Sequence, residues 1–134
     1  MTAHAIQTRV SWTTASPENR ASLQFAPPQA ELQMEIGTDD DQAAPSPHDL
    51  LDAALASCTA LTLRLYAARK GMALRGVQVR VTHETVAGVY RMARQLEIDA
   101  DLTDAERSTL LRVADACPVH KTLSGEIAIT TEAL

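Results

Sequence analysis

The sequence predicts an α+β fold, with two main helices laid against a mostly antiparallel sheet of about six strands. Three observations lead there. Apolar and polar residues alternate with period two in the N-terminal third, again from Val77 to Leu102, and once more near the C-terminal end. Two stretches with helical spacing interrupt those runs, one long and apolar, one shorter and capped. The chain has 134 residues, room for one domain spanning 1–134 and not two.

Taken in order, Ile6, Thr8, Val10 and Trp12 share one face of a first strand, and Leu23 and Phe25 mark a second. Pro27-Pro28 separates this from a third, where Leu32, Met34 and Ile36 alternate with Glu31, Gln33 and Glu35. One polar face per strand describes a sheet covered on a single side. Gly37 to Ser46, with consecutive aspartates and Pro45, predicts a loop. Ser46-Pro47-His48-Asp49 then opens a helix: Ser46 as N-cap, Pro47 at the first position, Asp49 at the third. From Leu50 to Tyr66 nothing breaks it. Leu51, Ala54, Leu55, Cys58, Leu61 and Leu65 form the stripe expected to be most buried. Leu50, Ala53, Ala56 and Leu63 spread apolar character around much of the remainder. Arg69-Lys70-Gly71 suits its C-terminal end.

Val77, Val79 and Val81 predict a fourth strand, and Leu96, Ile98, Ala100 and Leu102 a fifth, with Gly88 in the hairpin between them. Thr103-Asp104-Ala105-Glu106 is a capping box that opens a second helix, with Leu110, Val113, Ala114 and Cys117 on one face. Pro118 interrupts it and can start a short third helix. Ile127 and Ile129 predict a last strand.

Composition narrows the function classes. Twelve Lys and Arg against seventeen Asp and Glu give a net charge of −5 and no basic face, which speaks against a nucleic-acid partner. No apolar run comes near the roughly eighteen residues of a membrane span, and no signal-peptide core opens the chain, so a cytoplasmic location is expected. The aromatic residues are only Trp12, Phe25, Tyr66 and Tyr90, so the core must be built from Leu, Val, Ile and Ala. A strongly apolar helix and a one-sided sheet leave much to cover in so short a chain. A second subunit, giving a homodimer, is the natural cover.

Cys58 and Cys117 are the two cysteines. A reducing cytosol disfavours a purely structural disulfide. They form no CxxC pair. A zinc site using Cys117 and His120 would also need distant ligands such as His48 and Cys58, so no metal is expected. Both helices should pack on the sheet, which lets the two thiols meet. From the residues alone two readings stand: buried small hydrophobes, or a reactive pair in which an electropositive neighbour makes Cys58 a thiolate. His4 and His83 are expected on strands and solvated, and Arg64 on the helix surface.

The local sequences weigh on this choice. Ser46-Pro47-His48-Asp49-Leu50-Leu51, then Ala53-Ala54-Leu55-Ala56-Ser57-Cys58-Thr59-Ala60 and Leu63 to Gly71, resemble the first cysteine helix of the OsmC/Ohr family. These are the osmotically inducible and organic hydroperoxide resistance proteins. Cys117-Pro118-Val119-His120-Lys121-Thr122-Leu123 resembles the second cysteine motif. The resemblance implies an intertwined homodimer with sites at the subunit interface, and a two-cysteine peroxidase without metal or organic cofactor. By motif, Cys58 matches the peroxidatic cysteine and Cys117 the resolving one. Organic or lipid hydroperoxide is the implied substrate, and a dithiol such as a lipoylated protein the implied reductant. An apolar surround suits that substrate but raises a thiol's pKa, so a cation is required.

The family supplies that cation as an arginine held by a carboxylate, usually a glutamate at the start of the first cysteine helix. This sequence has His48 and Asp49 there, so Asp49 is the candidate carboxylate, beside its reading as a capping residue. Arg20 is the best match to the arginine, beside its reading as a solvated hairpin charge. Asp49 precedes Cys58 by nine residues, about 13–14 Å along a helix and half a revolution around it. Asp49 can therefore serve only the Cys58 of a second, antiparallel copy of the helix. The rival reading is a non-enzymatic module of the same fold, binding a small apolar or acyl ligand at the dimer interface. A cation beside Cys58 discriminates between the two.

Overall fold

The computed structural model of the chain describes residues 7–26 and 32–134. Ile6, His4, Pro27-Pro28 and Glu31, used above, lie outside the described residues. The fold is α+β with antiparallel sheets. Its elements run β1 (Gln7–Ser11), β2 (Arg20–Ala26), β3 (Leu32–Gly37), α1 (Pro47–Lys70), β4 (Leu74–Val86), β5 (Val89–Ala100), α2 (Asp104–Ala114) and α3 (Pro118–Ser124). Two compact units are built from them, Met1–Leu51 and Asp52–Leu134.

In the first unit β1, β2 and β3 form an antiparallel meander, with Val10 opposite Leu23 and Leu23 opposite Met34. Leu23 and Ile36 are buried, whereas Val10 and Trp12 stand exposed. The expected alternation is present in β1, but nothing described covers its apolar face.

In the second unit β4 and β5 form a long two-stranded ribbon. Val86 and Val89 flank a two-residue turn, Ala87-Gly88, with φ of 52° and 78°. Positive φ at both positions matches the right-handed twist of the ribbon, and glycine takes it without a Cβ penalty. Alternate residues of the ribbon face inward. Val77 from β4 and Leu96 and Ile98 from β5 join Leu63 and Tyr66 of α1 and Leu110, Val113 and Ala114 of α2 in one core.

The two main helices begin and end for the reasons read in the sequence. At the start of α1, Ser46 N–H donates to Asp49 Oδ2 at 2.9 Å and Asp49 N–H donates to Ser46 Oγ at 3.1 Å. At its end Gly71 takes φ of 66°, and Met72 N–H reaches back to the Ala67 carbonyl at 2.9 Å. That closure satisfies carbonyls the helix leaves open. Thr103 and Glu106 make the reciprocal capping box of α2.

Three expectations are corrected. The buried stripe of α1 is Leu55, Thr59, Leu63 and Ala67. The stripe expected there is largely outward: Leu51, Leu61 and Leu65 are exposed, and Cys58 sits half-buried at its edge. An all-round apolar helix does not say which face meets the sheet, and here packing selects the face carrying Thr59. The strand expected at Ile127 and Ile129 is absent among the described residues, leaving five strands, and both side chains are exposed. Alternation is a permissive signal only; a strand also needs a partner edge for its backbone hydrogen bonds. Finally, α1 is by length and composition apolar enough to cross a membrane, with mean hydropathy 1.3. Its apolar character has a local use, since the Leu55–Ala67 stripe is buried within the fold.

Candidate active site

The site of the second unit is assembled from α1, β5 and the turn joining α2 to α3. Cys117 caps the start of α3 and is fully buried. Cys58, on α1, is half-buried, and both cysteines are free. The two thiols do not stand at disulfide distance, and Cys58 Sγ has Thr62 Oγ1 as its neighbour at 4.0 Å. Burial pushes the Cys117 thiol up. The Cys58 side chain, the backbone N–H groups of His120 and Val119, and the Thr59 hydroxyl outweigh it and hold the thiol below its ordinary range.

Thr59, next to Cys58, is the polar residue of the buried stripe. Its hydroxyl lies 2.7 Å from the Leu55 carbonyl, a bond back along the helix that satisfies a proton otherwise lost in the core. The same oxygen accepts from Arg94 Nη1 at 3.1 Å. Arg94 also donates to the Ala114 carbonyl at 3.2 Å and to Asp115 at 2.8 Å, and its side chain is only 13% exposed. A guanidinium with three acceptors of fixed direction is held in place. Beside Arg94 a groove of about 340 Å³ opens, walled by Leu55, Met92 and Leu123 and edged by His120. Nearby, Asp52 of α1 pairs with His83 Nδ1, and the His83 ring stacks on Tyr90 at 5.3 Å. His83, expected to be solvated, is instead half-buried, because its position on β4 has the inward parity of Val77 and Val81.

The remaining sequence-derived candidates belong to the first unit. Arg20 is clamped by Asp41, through Nε and Nη2, and reaches Glu35 Oε1 at 3.3 Å. Its partners are therefore Asp41 and Glu35. Asp49 is exposed and engaged with Ser46 in the helix-start box. The unit also holds an open hollow of about 590 Å³, walled by Trp12, Pro17, Ala21 and Ile36.

Arg94, Thr59 and the His83–Asp52 pair escape a reading built on apolar stripes and motifs. A signal for Arg94 exists: it carries a charge at the same strand parity as Leu96, Ile98 and Ala100, where a solvated arginine would not stand.

This fold defines a class. Residues 37–132 match the family model described as OsmC-like protein, and the chain belongs to that family. No curated protein matches the chain. Among solved structures it is similar to the OsmC-like protein from Mycoplasma pneumoniae, at 20% identity over 92% of this chain and 90% of that one, with a TM-score of 0.72. It is similar to the organic hydroperoxide resistance protein OhrB of Bacillus subtilis, at 17% identity over 91% and 92%, with a TM-score of 0.63. An organic hydroperoxide resistance protein from Legionella pneumophila gives 15% identity, 93% of each chain and a TM-score of 0.64. At such identities the likeness is one of fold.

Proposed function

We propose that the protein is a cytoplasmic, homodimeric two-cysteine thiol peroxidase for organic or lipid hydroperoxides, built as a single OsmC-like domain. One observation supports the reading: two free thiols, one of them fully buried and held below its ordinary range by its neighbours, in a chain of the OsmC-like family. The names of similarly folded proteins, two of them organic hydroperoxide resistance proteins, point the same way. In the proposed cycle the Cys58 thiolate attacks the distal peroxide oxygen. An S–O bond forms, the O–O bond breaks, and the alkoxide leaves and takes a proton as alcohol. Cys117 then attacks the sulfenic sulfur, the S–O bond breaks, and hydroxide leaves as water. An external dithiol, a lipoylated protein by resemblance, reduces the disulfide by exchange. In this reading Arg20, whose own carboxylate partner is Asp41, and Asp49 are offered as cation and carboxylate to the Cys58 of a second copy of the chain.

The test is single-turnover oxidation of the reduced protein by cumene hydroperoxide and by hydrogen peroxide, with thiols counted afterwards. Both thiols should be lost to one equivalent of the organic peroxide, faster than to hydrogen peroxide. Cys58→Ser should abolish consumption, whereas Cys117→Ser should allow one oxidation and then stall or over-oxidise. Equal residual turnover in both variants would sink the roles. A second reading, a binding module for an apolar ligand, is favoured by the open hollow beside Trp12. It gains if neither peroxide consumes thiols.

A further inference from the structure

The cation that the structure brings to the thiol pair's own unit is Arg94, on β5, and it has no place in the cycle above. It reaches the cysteines through one atom. Thr59 Oγ1 accepts from Arg94 Nη1 at 3.1 Å and stands 2.7 Å from the Leu55 carbonyl. Its hydroxyl is also among the groups that hold the Cys117 thiol below its ordinary range. A hydroxyl has one proton and two lone pairs. While Cys117 is protonated, the Thr59 proton goes to the Leu55 carbonyl. When Cys117 is an anion, the same proton turns to the sulfur, and donation from Arg94 into the hydroxyl oxygen makes it a stronger donor.

Arg94 is held for that task. Asp115 takes its Nη2 at 2.8 Å and the Ala114 carbonyl takes its Nη1 at 3.2 Å. Both belong to the end of α2, two and three residues before Cys117 respectively, so the guanidinium ties the turn that carries Cys117 to the helix turn that carries Cys58. An arginine so placed costs desolvation, and its three acceptors offset that cost.

We propose that Arg94, acting through the Thr59 hydroxyl, is a positioning residue that prepares Cys117 to close the disulfide with oxidised Cys58. The proposal deepens the peroxidase reading and rests on it for the closing step. In that step the Cys117 thiolate attacks the Cys58 sulfenic sulfur; the S–S bond forms, the S–O bond breaks, and the departing hydroxide is protonated to water. The thiolate supplies the electron pair and the sulfenic acid is the oxidant. The titratable and charged groups near Cys117 include Cys58 from α1, Arg94 from β5, Asp115 at the end of α2, and His120 and Lys121 from α3.

Two measurements test it. The first needs no peroxide: in a Cys58→Ser background Cys117 is the sole thiol, and its ionisation is followed by thiolate ultraviolet absorbance against pH. Thr59→Val and Arg94→Gln should move the titration to higher pH, and Thr59→Ser, which keeps the hydroxyl, should leave it in place. The second follows the two-cysteine protein after one equivalent of cumene hydroperoxide. Thr59→Val should slow disulfide closure about tenfold near neutral pH, the value of one charge-assisted hydrogen bond. Oxidation of Cys58 should keep its rate, and closure should recover as pH rises. Superimposable titrations, or a loss of closure that does not recover with pH, would overturn the proposal. If cumene hydroperoxide leaves Cys58 untouched, the peroxidase reading fails, while the titration still decides whether Arg94 and Thr59 act on Cys117.

Discussion

Arg20 and Arg94 are both arginines on strands whose charge is fixed by a carboxylate, and they illustrate what a single position can and cannot announce. Arg20 donates to Asp41 from two nitrogens, and that pairing, with the Ala43 N–H, holds the Asp41 carboxyl below its ordinary range. A depressed folded-state pKa contributes stability that is present above the unfolded value, about 3.9, and is lost as pH falls through the folded one. Asp41→Asn keeps an acceptor but removes the charge. Its urea midpoint should therefore lie below the wild type at neutral pH, and the two should converge in acid. A constant gap across the whole pH range would mean that Asp41 acts by shape alone. Arg20 was a candidate only through the family resemblance; its partners Asp41 and Glu35 were not legible, because they come from a loop and from a neighbouring strand. Arg94 was legible only as an anomaly of parity. Its acceptors lie on α1 and at the end of α2, and no local pattern connects them.

At the scale of elements, starts and stops are encoded by neighbours and faces are not. Thr103 and Glu106 exchange hydrogen bonds over three residues of chain, so the capping box can be read directly. Thr103→Ala should cost about 1 kcal/mol in denaturant unfolding with the slope unchanged. No measurable loss would show that α2 is held by its packing on Leu63 and Tyr66 alone. The Ser46–Asp49 box at the start of α1 and the Ala87-Gly88 hairpin were legible for the same reason: their geometry is settled within a few residues. The burial face of α1 was not. Leucines and alanines surround it, and the choice of Leu55, Thr59, Leu63 and Ala67 depends on what α2 and the β4–β5 ribbon present. Ile127 and Ile129 fail as a strand on the same principle, since alternation supplies a face and not a partner.

For the whole molecule, the outward face of α1 carries the main consequence. Leu51, Leu61 and Leu65 recur at coiled-coil spacing and are 39%, 59% and 62% exposed. Burying what remains exposed of each is worth roughly 0.6–1.9 kcal/mol, which together favours a second copy of the chain. Sedimentation of the native protein should give a dimer at micromolar concentration, and Leu61→Lys with Leu65→Lys should give a folded monomer. A well-folded wild-type monomer would remove the reason for placing Asp49 beside a partner's thiol. The sequence by itself determined the class of fold, the order of its elements from β1 to α2, and the caps that bound the two main helices. All of these follow from short-range periodicity and local hydrogen bonding. Only the tertiary structure decided which face of α1 is buried, that Thr59 accepts from Arg94, and that Cys117 is the fully buried cysteine. Those are meetings of residues distant in the chain, fixed by packing that no single segment contains.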